Sequence, residues 1–150
     1  MSTVEVSAER AVRAPAERVY GYLADYSEHH HHFLPPAFSG FRVVAGGVGA
    51  GTEVEFSVTA GGRSRPYHMA VSEPEPGRVL VETDANSSLV TTFTVTPAGD
   101  TCRVRMHTAW KGAGGIGGIF ERLFAPKVMK ALYEDELQRL DAYAASAGGA

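Results

Sequence analysis

The sequence contains a single cysteine, Cys102, among 150 residues, so no internal disulfide can hold the fold. That composition suits a reducing compartment. No run approaches the roughly 18 consecutive apolar residues that a membrane-spanning helix requires. Residues 1–10 carry Glu5 and Glu9 and lack an apolar core of signal-peptide length. The expected location is therefore cytoplasmic, with no membrane insertion. An excess of one charge is also missing: the formal net charge is -3, and the arginines are scattered instead of gathered with aromatics. Such a surface has no field to attract a phosphate backbone, which excludes nucleic acid as a partner. The glycine-rich stretch Gly112 to Gly118 lacks the Gly-Lys-Ser/Thr ending of a phosphate loop, and no serine sits in a Gly-x-Ser-x-Gly elbow. The stretch reads as a flexible connector.

What is present is ordinary globular material, 44% hydrophobic and 21% charged, which sets disordered and fibrous classes aside. A chain of this length is expected to form one domain over residues 1–150 and to bury roughly 70% of its unfolded surface. Val4, Val6, Ala8 and Val12 alternate with polar residues, as in a half-buried strand. Pro15 opens a helix to Tyr26, because a first-turn residue has no intrahelical bond for its missing N–H to break. Strands follow at Phe41 to Ala45 and at Val54, Phe56 and Val58, with a hairpin turn expected at Gly61 and Gly62. The alternation continues through Tyr67, Met69 and Val71. In the next strand Val79, Val81 and Thr83 share one face, although Leu80 disturbs the phase. Leu89, Thr91, Phe93 and Val95 come next, then Cys102, Val104, Met106, Thr108 and Trp110. Helical spacing begins at Ile119, is interrupted by Pro126 and resumes through Met129, Leu132, Tyr133, Leu140 and Ala144.

This order of elements predicts an α+β fold in which a curved antiparallel sheet of about six to seven strands wraps around a long C-terminal helix. One or two short helices follow the first strand. A sheet that meets its apolar partner only at the end of the chain tends to close over it and enclose a space.

Four segments carry a resemblance: Val4 to Arg13, "APAERVYGYLADY" from Ala14, "FLPPAFSGF" from Phe33, and "GGIFERLFAPKVMKAL" from Gly117. Together they resemble the SRPBCC superfamily, and within it the polyketide cyclase/dehydrase and lipid-transport group. That resemblance implies the helix-grip fold also seen in START domains and birch-pollen-allergen-like proteins. It further implies a cavity between the inward sheet face and the last helix. The first strands would line it with Phe56, Val58, Tyr67 and Met69, and the later ones with Val81, Thr83, Phe93, Met106, Thr108 and Trp110. Phe120, Phe124, Val128 and Met129 would close it. A mostly apolar and aromatic lining of this kind suits a hydrophobic small molecule, with no cofactor implied.

The run His29 to His32 is the chemically unusual segment. If it is helical, Asp25, His29 and His32 share one face and could ligate zinc or a similar ion. His29 or His32 could equally act as a general base near neutral pH, or the run could be a solvated stretch at the pocket rim. Tyr67 is the best inward acid. By strand parity His68, His107, Glu53, Glu55 and Glu82 face solvent, and Cys102 reads as a small buried hydrophobe. The leading functional expectation is binding or carrying of a lipid, polyketide or similar molecule. The alternatives are a cyclase or dehydratase that uses a His or Tyr as acid/base, and a protein-interaction module.

Overall fold

The computed structural model describes residues 3–111 and 124–147. In chain order its elements are β1 (Thr3–Val12), α1 (Ala16–Ala24), a 3₁₀ turn (His30–Phe33), β2 (Phe38–Ala45) and β3 (Glu53–Ala60). Then come β4 (Arg63–Glu75), β5 (Val79–Asp84), β6 (Val90–Ala98), β7 (Thr101–Lys111) and α2 (Pro126–Ala147). The strands form one antiparallel sheet of seven in the order β1-β7-β6-β5-β4-β3-β2. α1 and the 3₁₀ turn thus carry the chain from one edge of the sheet to the other, after which successive hairpins lead back to β1.

Local chemistry accounts for the joints. Pro15 lies at the N-cap of α1 in extended conformation, and its carbonyl accepts the Val19 N–H at 3.1 Å. Glu17 in the first turn complements the positive end of the helix. Gly61 and Gly62, with φ of 60° and 77°, supply the left-handed backbone that a two-residue hairpin between β3 and β4 demands. At the outer edge, the pairing of β2 with β3 slips between Ser39 and Arg42 and again between Val43 and Ala45.

The apolar faces converge on one core. α2 packs along β1, α1 lies against β6 and β7, and the 3₁₀ turn touches both helices. Met129, Tyr133, Leu137, Leu140 and Ala144 form the buried stripe of α2. Asp141, one residue past Leu140, fixes the seating of that stripe. Its carboxylate accepts the Arg13 backbone N–H at 3.0 Å and the Arg13 and Arg10 guanidinium groups at 3.1 and 3.2 Å. Burial pushes the Asp141 carboxyl up, but the bonds from Arg13 and Arg10 outweigh it and hold the group below its ordinary value.

Two sequence expectations fail here. In β5 it is Leu80, Glu82 and Asp84 that are buried, while Val81 is half-buried and Thr83 exposed, so Val81 and Thr83 face away from the core. Leu80 set the phase, because a leucine with no exposed surface outweighs two β-branched residues that can sit on either face. Val128 is 36% exposed at the start of α2 and closes nothing. Phe120 and the helical pattern expected from Ile119 lie outside the described residues.

Truncating Leu140 to alanine should therefore destabilise the protein by about 2–5 kcal/mol in urea unfolding, because the fixed helix cannot collapse into the space left. Val128→Ala should change stability by less than about 0.5 kcal/mol.

Candidate functional site

A cavity lies between the concave face of the sheet and α2. Val54, Phe56 and Val58 of β3, Tyr67 and Met69 of β4, Phe93 of β6 and Met106 of β7 form its sheet wall. Phe124, Met129, Leu132 and Tyr133 form the opposite wall. Leu34, Phe38 and Phe41, all half-buried, come from the segment after the histidine run and border the opening. The space that the centre of a water-sized sphere can occupy is about 50 Å³, within an unfilled envelope of about 580 Å³ that includes the mouth. The smaller figure measures the interior itself, room for a few waters. A larger guest enters only by displacing side chains, and the rim phenylalanines and three lining methionines are suited to that.

One corner of this apolar wall is polar. His30 of the 3₁₀ turn is 3% exposed, Glu82 of β5 7% and Glu136 of α2 3%. The His30 Nδ1–H donates to the Leu23 carbonyl at 2.7 Å, at the C-terminal end of α1, which leaves Nε2 as the free ring nitrogen. Nε2 lies 3.9 Å from Oε2 of Glu82 and 3.9 Å from Oε2 of Glu136. Both distances exceed hydrogen-bond length, and a neutral imidazole makes them close polar contacts, not ion pairs. The Tyr26 hydroxyl donates to Glu82 at 2.6 Å, and the Tyr26 ring stacks on His30 with centroids 4.4 Å apart. Glu136 has no hydrogen-bond partner among the described residues, and it lines the cavity. Beside this corner, Thr108 links Thr91 at 2.7 Å to the Tyr133 hydroxyl at 2.6 Å, a buried chain that fixes where that ring points.

Burial governs the electrostatics. Desolvation lifts Glu82 to about 7, with the Tyr26 hydrogen bond drawing it part of the way back. Glu136 is raised well above the carboxylate range by desolvation and by the charge of Glu82. His30 is lowered to about 4 by desolvation, so its ring is neutral at physiological pH. Burial also pushes the Tyr67 hydroxyl up to about 12.

The sequence-derived candidates divide among several places. Phe56, Val58, Tyr67, Met69, Phe93, Met106, Phe124 and Met129 surround the cavity together. Thr108 and Trp110 are buried on the same strand face but do not line it. Val81, Thr83 and Val128 lie elsewhere, as described above. The histidine run is not an α-helix. Asp25 Oδ1 is taken up by the backbone N–H groups of Ser27 and Glu28 at 3.1 and 2.9 Å. His29 Nδ1 meets the Tyr143 hydroxyl at 2.6 Å, and exposed His32 stacks on the same ring. The Asp25, His29 and His32 constellation is thus dispersed into turn and surface contacts, and no group of three or more His, Cys, Asp or Glu among the described residues is arranged to hold a metal.

The residues that sequence reasoning missed are Glu82, read as solvent-facing, and Glu136, while His30 lay within the histidine run without being singled out from it. Each carried a signal. Glu136 falls in helical phase with Met129, Tyr133 and Leu140, Glu82 shares strand parity with Leu80, and His30 shares helical spacing with Tyr26 and Phe33.

These shifts bear on stability. Between pH 4.5 and about 7 the unfolded chain gives up the Glu82 proton while the native chain keeps it, so the Glu82 contribution is full below 4.5 and is lost as pH rises through that window. His30 acts in reverse, with its contribution lost as pH falls from 6.5 to about 4. Glu82→Gln removes the first effect and keeps the second. Going from pH 4.5 to pH 8, the wild type should lose on the order of 3 kcal/mol more than the variant, read from urea unfolding at both pH values.

Comparisons with known proteins agree with this architecture. Residues 3–145 match the family described as "Polyketide cyclase / dehydrase and lipid transport". The solution structure of KanY protein is 33% identical, with 95% of this chain and 98% of that chain covered and a TM-score of 0.83. The crystal structure of TTHA0849 from Thermus thermophilus is 26% identical over 96% and 99% of the two chains, with a TM-score of 0.76. Norcoclaurine synthase from Thalictrum flavum, solved with dopamine and hydroxybenzaldehyde, is 16% identical over 97% and 88%, with a TM-score of 0.71, a likeness of fold alone. No curated protein matches the sequence. The seven-stranded sheet, the terminal helix and the near full-length match together place this chain in the polyketide cyclase/dehydrase and lipid-transport family of the SRPBCC superfamily.

Proposed function

We propose that the protein binds or carries a hydrophobic small molecule, such as a lipid or a polyketide, in the cavity between its sheet and α2. The observation that carries this reading is the lining: aromatic, aliphatic and methionine side chains from five strands, α2 and the segment after the 3₁₀ turn meet around one partly unfilled space. Apolar area removed from water at such a wall is worth about 25 cal/mol per Å². The half-buried rim of Leu34, Phe38 and Phe41 gives a guest a way in without breaking the sheet.

A second reading, a cyclase or dehydratase type of enzyme, is favoured by one specific observation. A carboxyl held near 7 suits proton transfer at neutral pH, and Glu82 is such a group, placed on the cavity wall with its Tyr26 partner behind it. In that reading the cavity folds a reactive chain and Glu82 moves the proton, while half-buried His29 and exposed His32 do not line the cavity.

Methionine methyl NMR tests the binding reading directly, because three of the four methionines, Met69, Met106 and Met129, line the cavity. Their resonances should shift when a medium-chain fatty alcohol is titrated in. A guest that leaves all three unmoved would overturn the reading. Native mass spectrometry of freshly purified protein should show a co-purifying mass lost on mild organic extraction. Glu82→Gln separates the two functions: apolar affinity should stay within a few-fold, whereas an enzyme's turnover should fall by about 10²-fold or more.

A further inference from the structure

We infer that the guest of this cavity carries a hydrogen-bond-donating cationic head, a protonated amine on an apolar body, which docks between Glu82, Glu136 and the Nε2 of His30. The inference rests on the reading that the cavity takes an apolar molecule, and it adds the polarity of the guest's head.

The corner presents acceptors. His30 has its one ring N–H committed to the Leu23 carbonyl, so Nε2 faces the two carboxyls with a lone pair. The Tyr26 hydroxyl is spent on Glu82. Glu136 is only 3% exposed, has no hydrogen-bond partner among the described residues, and borders the space a guest would fill. Burying an unpartnered carboxyl is costly, and a positively charged donor removes that cost in one contact. No Lys or Arg lines the cavity among the described residues: Arg65 and Arg63 stand over the Tyr67 and Phe124 rings at 5.8 and 5.9 Å, and the corner of His30, Glu82 and Glu136 holds no cation of its own among those residues.

The groups facing the corner come from every element around it. α1 and the turn contribute Tyr20, Tyr26, His30 and the neighbouring His31, β5 contributes Glu82, and α2 contributes Tyr133, Glu136 and, on its outer side, Asp135. β4 contributes Tyr67, close to Arg65 and Asp84. Among these the carboxyls Glu82 and Glu136 are the groups that an arriving ammonium ion would ionise. Binding is then coupled to release of a proton, as the carboxylic acid becomes a carboxylate paired with the ammonium. A carboxylate guest would meet the charge of Glu82, which is largely ionised above about 7, and find no cation among the described wall residues to offset it.

Hexylamine, hexan-1-ol and hexanoate share one tail and differ in the head, and methionine methyl NMR reads all three on the wild-type protein. At pH 7.5 hexylamine should bind at least tenfold more tightly than the alcohol, with hexanoate weakest. Calorimetry in two buffers of different ionisation enthalpy should show protons released with the amine and none with the alcohol. Glu136→Gln should reduce the ratio of amine to alcohol affinity several-fold, and an unchanged ratio would overturn the inference. If the alcohol binds as well as the amine or better, the inference fails while the apolar cavity stands. If none of the three moves the methionine methyls, both fail.

Discussion

The concave face of the sheet has to be covered, and α2 is the element that covers it. Seven antiparallel strands place Val54, Met69, Leu80, Phe93, Val104 and Val6 on one side, and that surface cannot face water at any reasonable cost. The rest of the arrangement follows from that need. β1 pairs with β7 at the edge beside which the chain returns, and the Asp141 contacts to Arg10 and Arg13 lock the returning helix to the end of β1. Because a straight helix cannot touch every point of a curved sheet, contact is close along β1 and looser toward β3 and β4, and the cavity occupies the looser side.

The two faces of the sheet treat the same residue types in opposite ways. On the outer face His68 sits between Glu53 at 2.7 Å and Glu55 at 3.1 Å, and those hydrogen bonds raise its pKa. Solvent and the pairing make that cluster inexpensive. On the inner face a histidine and two glutamates also meet, but at 3.9 Å and buried from bulk solvent, and desolvation drives the imidazole down and the carboxyls up. A fold selected for stability alone would favour apolar side chains at Glu82 and Glu136, since replacing buried ionisable groups with well-packed hydrophobes is commonly neutral or stabilising. Buried ionisable groups shifted in this way, beside a cavity, are characteristic of working sites.

Most of the fold was legible in the chain because two periodicities carry it. Strict alternation marked the strands from Val54 to Trp110 other than β5, and proline and glycine marked the joints, so the sheet and terminal helix follow from Pro15, Gly61, Gly62 and Pro126 with little ambiguity. The site was less legible, for two physical reasons. In β5 three β-branched residues compete with Leu80, and a slip of one residue exchanges the faces, which turned Glu82 from solvent to interior. In the histidine run, a helical reading groups Asp25 with His29 and His32 because a carboxylate beside imidazoles suggests a ligand set. The chain instead buries Tyr26, His30 and Phe33, and the deciding influence is the pull of two aromatic neighbours on the residue between them. Glu136 shows that a charged residue in phase with an apolar stripe can be carried into the interior with it.

The irregular β2 has a consequence of its own. A sheet that ends in a strand rather than closing into a ring leaves a row of N–H and C=O groups available to any extended stranger, the usual seed of aggregation. Slips between Ser39 and Arg42 and between Val43 and Ala45 break that row into short, misaligned pieces. A second molecule can find no continuous ladder there, so the protein keeps an open-edged architecture without inviting polymerisation through it.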